Sequence, residues 1–220
     1  MFKSVVFLGR KNCQYSYKLY KLLKKNSKKI FYYETNKRNE DINFNLKGKF
    51  DYLFSFRSFV ILKKNILKKI KHHSINFHPG PPKYRGIGCT NFAIFNNEKN
   101  YGATAHHIDD KIDHGKIIEV INFRIKKNEN LENLLSKTHK QMYKLAVKVI
   151  KNLLKNKNFY DSRLGKYKWS KKLWKLKDLD RLYEIKINDN KKTIFNKIKA
   201  TKYKHFSPYL KIKNLKFILD

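Results

Sequence analysis

The side chains most able to do chemistry are concentrated in residues 74–120, which contain three of the four prolines in this 220-residue chain. Residues 74–78 alternate apolar and polar side chains with the two-residue period of a β-strand, which predicts Asn76 and His78 on one face. The prolines and glycines that follow cannot continue a strand. We therefore expect both side chains at the carboxyl end of a strand, the edge where open α/β sheets bind their ligands.

A carboxylate follows further along the same region. Residues 103–108 favour a strand that runs into a loop containing Asp113, and residues 116–123 favour the next strand. We expect Asp113 to converge with Asn76 and His78. An amide and an imidazole can hold a developing oxyanion, and a carboxylate can accept or relay the proton of an amine nucleophile. These side-chain types together suit an addition to a carbonyl group.

An ordered set of motifs spans about forty residues of this region. It contains Asn-x-His-Pro, a proline-containing loop ending in Tyr-Arg-Gly, a Gly with a His four residues later, and Asp-x-Gly eleven residues after that Gly. The set resembles the folate-dependent formyltransferases, which include glycinamide ribonucleotide transformylase, methionyl-tRNA formyltransferase and the nucleotide-sugar N-formyltransferases. The matching positions are Asn76, His78, Gly86, Gly102, His106, Asp113 and Gly115.

The resemblance implies an enzyme that transfers a formyl group from 10-formyltetrahydrofolate to a primary amine. The family's catalytic Asn, His and Asp fall on Asn76, His78 and Asp113. The folate is expected to lie between a segment that precedes the Asn-x-His strand and the loop that contains Asp113. The residues carried over as folate-binding are Phe56, Arg57, Ser58, Phe59, Ile61, Leu62, Asp109, Asp110 and Lys111.

The amine acceptor is the least specified part of this interpretation. We expect a nucleotide-linked amino sugar or another small amine, with methionyl-tRNA as the alternative. By resemblance, methionyl-tRNA formyltransferases carry a β-barrel domain that grips the tRNA, and the tail after the predicted long helix is shorter than such a domain. A phosphate could meet the first helix N-terminus or the basic residues before it. The candidate acceptor-binding residues are Arg10, Lys11, Pro81, Tyr84, Arg85 and His106.

Two positions depart from the family pattern. The loop after His78 reads Gly80, Pro81 and Pro82, which is one residue shorter than the family's Ser-Leu-Leu-Pro version and changes the geometry near the acceptor. His114 stands where the family has a small residue after the catalytic Asp, and this difference either narrows the site or adds an ionisable group there. Neither departure removes a catalytic residue.

The chain is strongly basic, with a formal net charge of +35 from 52 Lys and Arg against 17 Asp and Glu. Such a balance is typical of nucleic-acid binding, and a catalytically silent basic nucleic-acid-binding module is the alternative from another class. The excess consists of 45 Lys but only 7 Arg, and it accompanies 23 Asn and 21 Ile over the entire chain. A bias toward A/T-rich codons explains this skew, so a nucleic-acid partner is possible but not favoured.

The two cysteines are too few for a disulfide framework and are typical of reduced thiols in the cytosol. The first apolar run ends at Arg10, too early for a signal peptide, and no run approaches the 18 apolar residues of a membrane span. We expect a cytoplasmic enzyme without a membrane partner.

A metal centre is the remaining alternative for the histidine-rich region. His106 and His107 would point to opposite faces of their strand, so they cannot both bind one ion. Asn76 is also an unusual ligand for zinc or iron. We therefore expect no metal.

The remaining pattern predicts an α/β fold: a Rossmann-like formyltransferase domain with a mostly parallel sheet over residues 1–155, and a small α+β subdomain over residues 156–220. A polar connection is expected at 36–49 and a linker at 155–168. The other expected strands are 4–8, 29–33 and 51–56, and the expected helices are 15–25, 63–71, 90–97, 130–155 and 193–200.

Overall fold

A computed structural model describes residues 1–37, 44, 46–161, 165–213 and 215–219. Seven strands precede residue 125: β1 (Phe2–Arg10), β2 (Ser27–Thr35), β3 (Phe50–Phe56), β4 (Ile70–His78), β5 (Arg85–Gly86), β6 (Asn100–His107) and β7 (Ile117–Arg124). The helices of the same part and the long helix after it are α1 (Gln14–Lys25), α2 (Lys64–Leu67), α3 (Cys89–Phe95) and α4 (Leu131–Lys155).

Six of these strands form the central sheet, in the order β2, β1, β3, β4, β6, β7. The first four are parallel to one another, whereas β6 is antiparallel to both β4 and β7. The predicted α/β class with a mostly parallel sheet is confirmed. Strand β4 lies between the parallel and the antiparallel parts of the sheet. It pairs with the parallel strand β3 on one side and with the antiparallel strand β6 on the other.

Alternating residues of the buried strands supply two apolar cores, one on each face of the sheet. Val5 and Phe7 of β1 pack into a core that also contains the inner faces of α1 and α4. Val6 and Leu8 point the other way, into a smaller core that includes residues flanking α2. Because side chains alternate along a strand, β1 contributes to both cores, and the sheet lies between two layers.

Most predicted elements are present, and the helix expected over residues 63–71 is the main correction. The structure ends α2 at Leu67 and begins β4 at Ile70. Ile70 pairs with Phe50 of β3 in the parallel ladder, so sheet pairing overrides a short helical pattern. Of the connection at 36–49, residues 38–43 and 45 lie outside the described residues, as do 162–164 of the expected linker.

The chain after α4 adds a smaller group of elements. These are β8 (Leu173–Trp174), α5 (Leu176–Tyr183), β9 (Glu184–Ile185), α6 (Lys191–Thr201), β10 (Tyr209–Ile212) and β11 (Leu215–Ile218). Strands β9, β10 and β11 form a separate small sheet, whereas β8 pairs in parallel with β5. Helix α6 packs against α3. The division into two units at residue 155 stays a prediction.

Two further facts concern the surroundings of the fold. No helix in the described ranges combines the length and apolar character needed to cross a membrane. Both cysteines are buried and free, Cys13 before α1 and Cys89 at the start of α3.

Candidate active site

Strands β4 and β6 place three polar side chains on one face of the sheet. Asn76 pairs with His106 across the antiparallel ladder, and His78 is the last residue of β4. Phe77, the residue between Asn76 and His78 on β4, faces the apolar core and is 1% exposed. The predicted separation of polar and apolar faces is confirmed, and it directs an amide and two imidazoles toward the same space.

The loop between β6 and β7 brings Asp113 into that space. At Gly115 the loop passes so close to β6 that a Cβ atom on this residue would collide with the His107 carbonyl oxygen. Asp113 itself has a left-handed backbone conformation, with φ at 44°. A non-glycine residue in this region is uncommon and costs free energy, so the surrounding contacts must hold it.

The carboxylate of Asp113 lies between the two imidazoles. His78 Nδ1 is 3.2 Å from Asp113 Oδ2, and His106 Nε2 is 3.4 Å from Asp113 Oδ1. Asn76 Nδ2 is 3.1 Å from His106 Nε2. His78 and His106 are each 3% exposed and Asp113 is 9% exposed. The predicted convergence of Asn76, His78 and Asp113 is present, and His106 joins it.

The hydrogen-bond partners of the two rings differ. His106 Nδ1 is 2.7 Å from the His107 carbonyl oxygen, and its Nε2 also faces the Asn76 amide, so a neutral ring with its proton on Nδ1 satisfies both contacts. His78 has an acceptor at each nitrogen, because Nε2 is 2.7 Å from the Tyr84 carbonyl oxygen and Nδ1 faces Asp113. A neutral His78 can donate to only one of them, and a ring protonated on both nitrogens makes a charge-assisted hydrogen bond to the carboxylate.

Burial and charge act in opposite directions on the ionisation of this cluster. Burial alone raises the pKa of Asp113, but His78, His106 and the Gly86 amide together hold that pKa well below its usual range. Burial lowers the pKa of His78, and the Asp113 carboxylate opposes that effect. The Asp113 carboxylate is therefore ionised at physiological pH.

Arg85 and Gly86 hold Asp113 through its backbone and through its side chain. Arg85 Nε donates to the Asp113 carbonyl oxygen at 2.6 Å and Nη2 donates to the Ile112 carbonyl oxygen at 3.2 Å. The Gly86 amide donates to Asp113 Oδ2 at 2.9 Å. Arg85 Nη1 also reaches the Ser170 carbonyl oxygen at 3.1 Å. Arg85 therefore joins the carboxylate loop to the part of the chain after α4.

Trp169 covers the two imidazoles and was not among the predicted site residues. Its ring meets His78 and His106 edge-on, at centroid distances of 5.7 Å and 5.1 Å. Its Nε1 donates to the Gly115 carbonyl oxygen at 2.8 Å. The only sequence signal for Trp169 is that it is one of two tryptophans in the chain.

Cys89 is a second neighbour of the cluster. Its Sγ lies 3.7 Å from His78 Nε2 and donates to the Tyr84 carbonyl oxygen at 3.5 Å. Burial raises the pKa of this thiol. A protonated, buried thiol fills space and donates to the neighbouring carbonyl oxygen, which is a packing role.

The two predicted folate-binding segments lie beside each other. Lys64 Nζ forms an ion pair with Asp110 at 2.9 Å, and Leu62 and Ile108 belong to the same apolar cluster. Phe56 is fully buried in the core, whereas Ile61 is 71% exposed. The segments can form two sides of one groove, with different members facing the core and the solvent.

Other predicted folate-binding residues are held by hydrogen bonds or by backbone conformation. Arg57 has a left-handed φ of 57° and donates to Cys13 Sγ at 3.3 Å. The Ser58 hydroxyl accepts from the Val60 amide at 3.2 Å. The Lys111 amide donates to Asp109 Oδ1 at 3.0 Å. These contacts order the backbone on both sides of the groove.

The predicted acceptor-binding residues divide into two groups. Tyr84, Arg85 and His106 belong to the cluster around Asp113, whereas Arg10 lies with its guanidinium 4.0 Å from the centre of the Phe59 ring. The remaining two are Lys11, which is exposed after β1, and Pro81, which lies close to Gly102. The structure therefore does not bring all six together.

A metal centre has no counterpart in these contacts. The structure places His106 toward Asp113 and His107 toward His73, on opposite faces as expected. Within residues 1–37, 44, 46–161, 165–213 and 215–219, no group of three or more His, Cys, Asp or Glu is arranged to hold a metal ion.

The sheet and the cluster define a Rossmann-like α/β protein with an amide, two imidazoles and a carboxylate at the carboxyl end of β4. Comparison with known proteins agrees. The chain belongs to the formyl transferase family, whose sequence pattern matches residues 19–150. The predicted family membership is confirmed.

Two relatives are similar over part of their length. The bifunctional polymyxin resistance protein ArnA of Wigglesworthia glossinidia brevipalpis is 36% identical over 130 residues, which cover 58% of this chain and 20% of ArnA. The methionyl-tRNA formyltransferase of Thermodesulfovibrio yellowstonii is 30% identical over 142 residues, or 64% of this chain and 44% of that enzyme. The chain therefore spans less than half the length of either relative.

One similar solved structure is an N-formyltransferase from Helicobacter canadensis in complex with folinic acid and dTDP-3-aminofucose. The TM-score is 0.70 and the identity is 22%, over 98% of this chain and 86% of that chain. The similarity shows a shared fold that includes the part of the chain after α4.

Proposed function

We propose that the protein transfers the formyl group of 10-formyltetrahydrofolate to a primary amine. The observation that carries the proposal is the Asp113 carboxylate between His78 and His106, with the Asn76 amide on the second ring. This arrangement combines a hydrogen-bond donor for an oxyanion with a buried proton acceptor. Membership of the formyl transferase family supports the choice of transferred group.

In the proposed reaction, the amine nitrogen attacks the formyl carbon and forms the new C–N bond. The formyl oxygen becomes an oxyanion that Asn76 Nδ2 is placed to stabilise. His78 becomes a second donor when its Nε2–H turns from the Tyr84 carbonyl oxygen to the oxyanion. This exchange of acceptors keeps the buried N–H satisfied throughout.

The amine loses one proton as it attacks. Asp113 accepts this proton directly or passes it to the facing nitrogen of His78 or His106. The bond between the formyl carbon and N10 of the folate then breaks, and the same proton goes to the leaving N10. The step therefore consumes no net proton and needs no redox partner. Trp169 excludes water from the imidazoles while the proton is held there.

The proposed donor site is the groove between residues 56–62 and the loop that contains Asp109, Asp110 and Lys111. Phe56, the last residue of β3, pairs with Phe77 of β4, so residues 57–62 leave the sheet beside the catalytic cluster, and the ion pair between Lys64 and Asp110 brings the loop next to them. The Helicobacter canadensis enzyme binds folinic acid, a formylated folate, and has the same fold. These points support a folate donor in this protein.

For the acceptor, we propose a nucleotide-linked amino sugar or another small amine. The complex of the Helicobacter canadensis enzyme with dTDP-3-aminofucose supports this choice. Methionyl-tRNA is the second candidate, because a curated relative is a methionyl-tRNA formyltransferase with 30% identity.

A side-by-side turnover assay tests the acceptor. The full chain is mixed with 10-formyltetrahydrofolate and either an amino-sugar nucleotide or initiator methionyl-tRNA at physiological salt. We expect formyl transfer to an amino-sugar nucleotide and little transfer to the tRNA. A higher kcat/KM for methionyl-tRNA than for every amino-sugar nucleotide would reverse the choice of acceptor.

Folate binding is tested without an acceptor. Folinic acid at about 100 times its dissociation constant should stabilise the folded chain by roughly 2.7 kcal/mol and raise its Tm. An unchanged Tm at millimolar folinic acid, with folded protein, would contradict the folate site and favour a silent nucleic-acid-binding module.

A further inference from the structure

A groove beside the catalytic cluster has no role in the chemistry described above. It lies between residues 114–117 and residues 165–171 and has a volume of about 500 Å³. This volume falls within the range of small-molecule sites, which is roughly 300–1,000 Å³. Its walls combine aromatic side chains, Tyr167 and Trp169, with several cations.

The charge of the groove has one sign. Lys116, Lys168 and Lys171 line it, and none of its described lining residues is Asp or Glu. In the part of the chain that the structure describes, these three lysines form no ion pair. Lysines are abundant throughout the chain, so their number alone indicates little. A concave surface without carboxylates, bounded by aromatic rings, is a more specific feature, because it favours an anion that also carries a flat ring.

The groove is continuous with the catalytic cluster through two shared wall residues. Trp169 contacts both imidazoles, and Arg85 Nε donates to the Asp113 carbonyl oxygen. Gly115, also in the wall, is two residues from Asp113. A ligand held in the groove therefore extends toward the carboxylate that accepts the amine proton.

We propose that this groove binds the phosphate-bearing part of the amine acceptor, with Lys116, Lys168 and Lys171 as the anion-binding residues. The proposal rests on the function proposed above and makes it more specific. The acceptor is then a small amine attached to a nucleoside diphosphate. Its phosphates lie against the lysines and its base packs on Tyr167 or Trp169. A tRNA would instead depend on charge spread over a much larger surface.

The placement also explains a division among the predicted acceptor-binding residues. Arg10 ends β1 with its guanidinium over the ring of Phe59, which belongs to the segment proposed for the folate, and Lys11 follows it, whereas Arg85 lies in the wall of the groove. The phosphate of the acceptor therefore has cations on the Asp113 side of the cluster, and the basic residues after β1 remain available to the folate side.

The test is a charge-matched pair of double variants in the full chain. Lys168→Gln with Lys171→Gln removes two charges from the groove, and Lys140→Gln with Lys144→Gln removes two from the exposed face of α4. The probes are uridine diphosphate, thymidine diphosphate and inorganic phosphate, titrated calorimetrically. Kinetics with an accepted amine give KM for each substrate and kcat.

We expect the groove variant to weaken nucleoside diphosphate binding and to raise the acceptor KM by roughly 10-fold or more, since hydrogen bonds to charged groups are lost. Its kcat and folate KM should change by less than about threefold, and the α4 variant should change none of these values by more than about twofold. Equal weakening in both variants, or no weakening in the groove variant, would overturn the proposal.

Two further outcomes separate this proposal from the proposed function. If the wild-type protein transfers no formyl group but binds the diphosphates in a manner that only the groove variant loses, the reaction is wrong and the anion site stands. If the groove variant lowers transfer to methionyl-tRNA while the diphosphates do not bind, the site belongs to nucleic-acid phosphates and the small-acceptor proposal fails.

Discussion

The two faces of the antiparallel pair β4 and β6 carry histidines in contrasting surroundings. On one face, His78 and His106 hold the Asp113 carboxylate between them. On the other, the rings of His73 and His107 lie 5.2 Å apart, and the Asp161 carboxylate acts on His107 through its charge. His106 and His107 are adjacent in the chain, so the strand period alone sends them to these different places.

The difference shows what makes a buried imidazole useful for proton transfer. Burial and the neighbouring His73 and His106 lower the pKa of His107 to about 4, so the ring is neutral at physiological pH. At His78, the Asp113 carboxylate works against the same effect of burial. A carboxylate in direct contact, rather than residue type, therefore distinguishes the candidate catalytic face from the packing face.

Replacing the Asp113 carboxylate should remove the difference between the two faces, and it should lower kcat more than any histidine substitution. We expect Asp113→Asn to lower kcat by roughly 10²–10⁴ while the fold survives, because the proton acceptor is lost. The matched control is Asp161→Asn, which removes the carboxylate whose charge reaches His107, and it should change kcat by about twofold or less. Near-normal turnover in Asp113→Asn, measured with any accepted amine, would remove the carboxylate from the mechanism.

Substitutions of His106 and His107 should lower kcat less, but they compare the two faces more directly. We expect His106→Asn to lower kcat by roughly 10²-fold, because it removes the ring between Asn76 and Asp113. His107→Asn should lower kcat by about twofold at most. Circular dichroism and thermal melting establish that both variants fold. Equal losses of kcat in the two variants would mean that the faces do not differ in function.

The dependence of stability on pH should report the ionisation of His107 on the packing face, without any substrate. The folded-state pKa of His107 is about 4, below the unfolded value of about 6.5. The stability that the neutral ring contributes is complete above pH 6.5 and is lost as the pH falls toward 4. The pKa of Asp113 is also lowered, below the ordinary carboxyl range, so its contribution is lost only at still lower pH.

The expected result is a Tm that falls between pH 6.5 and pH 4, with about one proton fewer taken up on unfolding in His107→Asn. His139, whose pKa burial lowers to about 3, and His78, whose pKa burial also lowers, should keep part of the slope in that variant. An unchanged slope in His107→Asn would show that the ring is protonated in the folded protein at pH 5.

The convergence of Asn76, His78 and Asp113 could be predicted because its geometry follows from local rules. The alternation of residues 74–78 placed Asn76 and His78 together, and the glycine after the Asp113 loop allowed the chain to return to β6. Each step depends on strand period or on the space at Gly115. The mostly parallel sheet could be predicted for the same reason, since its strands are short apolar runs separated by helical patterns.

Contacts between distant segments could not be predicted in this way. Trp169 reaches Gly115 across 54 residues, and no periodicity connects them. Arg85 was expected to bind the acceptor, but the sequence cannot show that its guanidinium donates to three carbonyl oxygens in two segments. Helix α2 was overextended because the pairing of Ile70 with Phe50 is also a long-range contact.

The contact between Arg85 and Ser170 has a consequence for engineering. The segment after α4 is where a chimera between two family members would ordinarily be joined, because α4 ends there and the family pattern stops at residue 150. In this protein, such a junction would exchange Trp169, which contacts both imidazoles, together with the tail. It would also replace the segment whose backbone carbonyl at Ser170 accepts from Arg85, so the two parts of a recombinant must be matched at this contact.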